Sequence, residues 1–97
     1  MIHLQTLKFS QHARVRMQQR GVPRRAVELI IEHGRCNHVR DGALSYSCTR
    51  RQLRHLQNEL PASEFRGLEK PLLNTYVILN QDGKILTVAK RLGRLNS

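Results

Sequence analysis

Apolar and polar positions near the start of the chain fall into a helical rhythm. Phe9, Ala13 and Met17 recur at every fourth position, and His12, Arg16 and Arg20 form a second row beside them. Successive helical residues turn by about 100°, so each row becomes a stripe; the cationic one is roughly 80° wide and adjoins the apolar one. Ser10 is a natural N-cap and Gly21 a natural left-handed stop, which predicts a helix from Gln11 to Arg20. Gly21-Val22-Pro23 then breaks the chain, with Pro23 suited to the first position of a second helix. In that helix, Arg24 to His33, Ala26, Val27, Leu29, Ile30 and Ile31 make a broad apolar arc, and Gly34 ends it.

The rhythm then changes to alternation. Arg35–Arg40 and Ala43–Cys48 flank Asp41-Gly42, a pair that favours a tight hairpin turn. Thr49 caps a third predicted helix that runs to Leu60, with Leu53, Leu56 and Leu60 on its apolar side. Pro61 to Pro71 reads as a polar, mobile loop bounded by prolines. A second hairpin follows, Leu72–Leu79 and Lys84–Arg91 around Asn80–Gly83, and Ile2 to Phe9 reads as a short strand or extended arm. These elements predict one α+β domain over residues 1–97: two N-terminal helices on one face of a four-stranded, mainly antiparallel sheet, with an extra helix between the hairpins.

Charge adds a partner class. Seventeen Lys and Arg against seven Asp and Glu leave +10, an excess that favours polyanions, nucleic acid first. Lysine occurs only at 8, 70, 84 and 90, so arginine dominates, the residue that grips phosphate through two parallel donors and stacks on bases. Met1-Ile-His-Leu-Gln lacks the apolar run of a signal peptide and no stretch approaches a membrane span, so a cytoplasmic location and no membrane partner are expected. Cys36 and Cys48 are expected as free thiols; with His33 and His38 they lack zinc-ligand spacing, and no metal or other cofactor is expected.

The seven acids are too scattered for a two-metal nuclease, and no nucleophile motif, phosphate loop or dinucleotide fingerprint is present. Transesterification of RNA needs none of these, because the substrate's own 2′-hydroxyl attacks the adjacent phosphate. The protein has only to move protons, which a histidine does, and to stabilise charge on the phosphate, which arginine or lysine does. His12, Arg16 and Arg20, with Thr87 and Arg91 on the last strand, are the candidate catalytic set. Arg24, Arg25, Arg50, Arg51, Arg54, Lys90 and Tyr76 are candidate nucleic-acid contacts, and Thr75 is a further hydrogen-bonding position on the sheet.

The run Phe9-Ser-Gln-His12-Ala-Arg-Val-Arg16-Met17-Gln-Gln-Arg20-Gly21-Val22, the second helix ending at Gly34 and the closing Thr87-Val88 resemble a small bacterial family, a domain of unknown function of the His-x-x-x-Arg-Met-x-x-Arg-Gly-Ile type. That family is similar to the RelE-like and BrnT-like toxins, in which two helices lie against a curved antiparallel sheet and whose members often cleave RNA. The resemblance implies that His12, Arg16 and Arg20 occupy the family's polar helix positions and Thr87 its terminal-strand position. The Thr49–Leu60 helix and the segment after it are longer than the usual connection between hairpins. Three functions stand open: a metal-independent endoribonuclease of toxin–antitoxin type, a nucleic-acid-binding module without catalysis, and a basic subunit that docks an acidic partner such as an antitoxin.

Overall fold

The computed structural model describes residues 7–91. In chain order these form β1 (Lys8–Phe9), α1 (Gln11–Arg20), α2 (Arg24–His33), β2 (Arg35–His38), a 3-10 turn (Arg40–Gly42), β3 (Leu44–Ser47), α3 (Arg50–Glu59), α4 (Ala62–Asn74), β4 (Thr75–Leu79) and β5 (Lys84–Lys90). The fold is α+β, as expected, but with four helices and a five-stranded mixed sheet of order β1-β5-β4-β3-β2. The fifth strand is the two-residue β1, which pairs parallel with β5. The part of the expected Ile2–Phe9 strand before residue 7 lies outside the described residues.

The helix ends follow the chain's punctuation. Ser10 Oγ accepts from the Ala13 amide at 3.0 Å, and Gly21 turns left-handed to close α1. The same Ser10 hydroxyl donates to the Leu86 carbonyl at 2.9 Å, and its backbone N–H donates to the Ile85 carbonyl. One residue thus starts α1 and fixes it to β5. Pro23 is the N-cap of α2 rather than its first helical residue. Thr49 and Gln52 form a reciprocal capping box at α3. Asp41 and Gly42 both have positive φ, 59° and 76°, as the turn between β2 and β3 requires.

The expected loop from Pro61 to Pro71 is instead most of α4. Phe65, Leu68 and Leu72 recur at three and four residues and are all buried, a helical stripe that the flanking prolines obscured. Pro61 sits at the N-cap, where an N–H is dispensable, and Pro71 in the last turns. Pro71 cannot donate to the Gly67 carbonyl, but both residues line a solvent-open cleft, where water can serve that group. Leu72 and Leu73 therefore end a helix, and β4 begins at Thr75 rather than at the expected Leu72. Arg25 Nε and Glu64 Oε1, 3.1 Å apart, link α2 to α4.

All four helices put their apolar side chains into one core with the inner face of the sheet. Ala13, Leu29, Ile30, Leu56 and Leu72 meet Val77, Leu79, Ile85 and Val88 there. Strand β4 shows the consequence: Thr75, Val77 and Leu79 are buried, whereas Tyr76 and Ile78 are half-buried on the other side. The strand residues of that outer face are half-buried or exposed, and none of them joins the core.

Candidate nucleic-acid interface

Register fixes what the outer face displays. Directly paired strand residues share a face, so Arg35, Ser47, Tyr76 and Ala89 form one row across β2, β3, β4 and β5. Asn37, Ser45, Ile78 and Thr87 form the next. The register shifts at Ile78/Leu79, and the extra residue on β5 is Leu86, which is exposed. The result is a half-exposed surface of three small hydroxyls, Tyr76, Ile78 and Ala89, with Arg35 and Asn37 on its β2 margin. Tyr76 and Thr87 are diagonal neighbours on it. Tyr46, by contrast, pairs with Val77 and packs on the core side. There burial first, and a hydrogen bond with Cys36 second, raise its phenol above the ordinary tyrosine value.

Helix α1 lies along the β5 edge of this face, and its stripes separate as the spacing predicts. Ala13 is fully buried, and Arg14, Met17 and Gln18 line a cleft of about 550 Å³ with Phe9, Val22 and Arg24. Arg24 caps that cleft, its guanidinium 5.3 Å from the Phe9 ring centre and 3.0 Å from Glu28. His12 and Arg16 fall on the opposite flank of α1, His12 exposed and Arg16 half-buried. Arg20 takes a third direction, into a cleft of about 610 Å³ with Lys70, Pro71, Asn74, Thr75 and Lys90. The cationic trio thus shares one helix flank but not one cavity: Arg20 is gathered with Lys90, while His12 and Arg16 line neither of these clefts.

Arg91 extends the Thr87–Ala89 side of β5, but its guanidinium is turned to the protein. Nη1 donates to the Cys48 carbonyl at 2.8 Å, at the junction of β3 with α3. Burial pushes the Cys48 thiol up to about 11, an effect that the nearby Arg91 charge partly offsets. Cys36 and Cys48 are both free, the first exposed and the second buried. Arg50, Arg51 and Arg54 are exposed on one flank of α3. Among the remaining candidates, Arg24 and Arg25 are engaged with Glu28 and Glu64, so their charge is partly spent within the fold.

Three further residues join the candidates only in the structure: Arg35 and Ser47 belong to the Tyr76 row, and Lys70 adds a third cation to the separate Arg20–Lys90 cleft. Strand parity relative to Val77 carried the signal for Arg35 and Ser47. Lys70 has no local signal, because its position depends on the segment between Pro61 and Pro71 being helical. His33 lies not with Cys36, His38 and Cys48 but against His55 of α3.

Compared with protein-family models, curated proteins and solved structures, the chain matches none of them. Among the described residues no helix is long and apolar enough to cross a membrane.

Proposed function

We propose that this protein binds single-stranded RNA across the open β2–β3–β4–β5 face. The observation that carries the reading is the row Arg35–Ser47–Tyr76–Ala89, an aromatic ring between two small residues with an arginine at the row's end, on the face opposite the core. A base stacked on a ring gains about 1–3 kcal/mol whatever its identity, and Ala89 leaves space beside Tyr76. Hydroxyls at Ser45, Ser47 and Thr87 can bond to base edges or 2′-hydroxyls. The net charge of +10 supplies phosphate attraction, with Arg35 at one margin and the α1 flank at the other.

Cleavage is the second reading. It rests on His12 and Arg16 sharing the flank of α1 that is turned away from α2, with Thr87 on the strand to which α1 is fixed. In a ribonuclease of the toxin type, His12 would move the proton at the 2′-hydroxyl or the leaving oxygen, and Arg16 would steady the phosphate. The commitment of Arg91 to the Cys48 carbonyl favours binding without cleavage.

One titration separates these. A labelled single-stranded oligoribonucleotide is added in EDTA, and both binding and chain length are followed. Binding that falls about 10- to 100-fold in Tyr76→Ala supports the open face. Cleavage that disappears in His12→Ala with binding intact supports the nuclease. Absence of RNA affinity removes both and leaves an acidic protein, such as an antitoxin, as the partner of the basic surface.

A further inference from the structure

The structure carries a second constellation, in the helix layer. The side chains of His33, His55 and Glu59 bring one ligand atom each to within 4.8 Å of one another. His33 ends α2, and His55 and Glu59 lie one turn apart on α3, so two separate elements converge. The two imidazole centres are 6.1 Å apart, tilted at 52°, and His55 Nε2 is 3.1 Å from Glu59 Oε1. Glu32 adds a second carboxylate, its Oε1 3.6 Å from His33 Nε2. Two of the chain's seven acids thus stand beside two of its five histidines.

We infer that His33, His55 and Glu59 bind one divalent transition-metal ion of the zinc type and so tie α2 to α3. Two imidazoles and a carboxylate are a donor set that zinc accepts, at about 2.0–2.2 Å per ligand, with one position left for water or for Glu32. Magnesium and calcium prefer all-oxygen sets and are poor candidates. Ligands around a tetrahedral ion stand roughly 3–4 Å apart, so side chains now within 4.8 Å need close by only about 1 Å. His55 and Glu59 are exposed and have the rotamer freedom to do so, while His33 is the better-held anchor, its side chain 25% exposed. The ion would act as a staple. It would fasten the α3–α4 pair to α2, away from the outer sheet face, and does not depend on the RNA reading.

The test uses the full chain, stripped with EDTA and dialysed, then titrated with zinc and separately with cobalt(II). One ion per chain, a rise of several degrees in the melting temperature, and the strong visible absorption of four-coordinate cobalt are expected. His55→Ala and Glu59→Gln, both at exposed positions, should fold normally and bind about tenfold or more weakly. Cys36→Ser should bind as the parent does. Absence of zinc uptake, or uptake unchanged in the His55 and Glu59 variants, would overturn the assignment. So would uptake lost in Cys36→Ser.

Discussion

Arg91 reaches across the start of β4 to hold the carbonyl of Cys48 at 2.8 Å, joining the close of β5 to the start of the α3–α4 insertion. A charged donor on a partly buried carbonyl is among the stronger hydrogen bonds of a fold, and it fixes the angle at which the helical insertion leaves the sheet. Arg91→Met should therefore lower unfolding free energy by about 1–3 kcal/mol, measured by urea denaturation. It should also raise the Cys48 thiol further, since the arginine charge is what moderates it.

The same thiol gives a pH dependence with a definite sign. Cys48 titrates near 9.0 when exposed and near 11 in the fold, so the unfolded chain releases its proton first as pH rises. Its contribution is fully present below pH 9 and is lost between about 9 and 11, on the order of 2 kcal/mol. Urea midpoints should fall over that window, and Cys48→Ala should remove this part of the slope. At pH 8, alkylation followed by mass spectrometry should label exposed Cys36 and spare Cys48.

Much of this architecture could be read from local signals. Capping residues and the apolar arcs placed α1, α2 and α3 closely, and Asp41-Gly42 placed the first hairpin. What escaped was decided by tertiary contact. Helix α4 carries Gly67 and Pro71 and is preceded by Pro61, each a breaker in isolation, yet Phe65, Leu68 and Leu72 gain enough from the core to hold the segment helical. A strand or arm is expected over Ile2–Phe9, but the parallel pairing of its described end, Lys8–Phe9, with β5 is a long-range choice that no local pattern specifies. For the candidate site, the cationic stripe of α1 was visible in spacing, but its division between flank and cleft depends on where α4 lies.

Helix α4 has its own test. Leu72 is fully buried in it, so Leu72→Ala should cost about 2–5 kcal/mol by chemical denaturation. A polar loop would tolerate the change within about 0.5 kcal/mol. Limited proteolysis should likewise spare the bonds between residues 62 and 74.

Gly34 occupies extended backbone where almost no side chain fits. A Cβ there would press on the Ile30 carbonyl oxygen and stand 2.9 Å from that of Ser47. Gly34→Ala should destabilise the chain by about 1–3 kcal/mol in thermal or urea unfolding, by forcing α2 away from β3.

The central claim, that RNA lies on the open sheet face, is tested most directly by photo-crosslinking. A single-stranded oligoribonucleotide carrying 4-thiouridine is bound, irradiated and mapped by mass spectrometry to the peptides it joins. The account predicts adducts on β3, β4 and β5, at or beside Tyr76 and Thr87. Adducts confined to the Arg50–Arg54 flank of α3, with none on these strands, would contradict it.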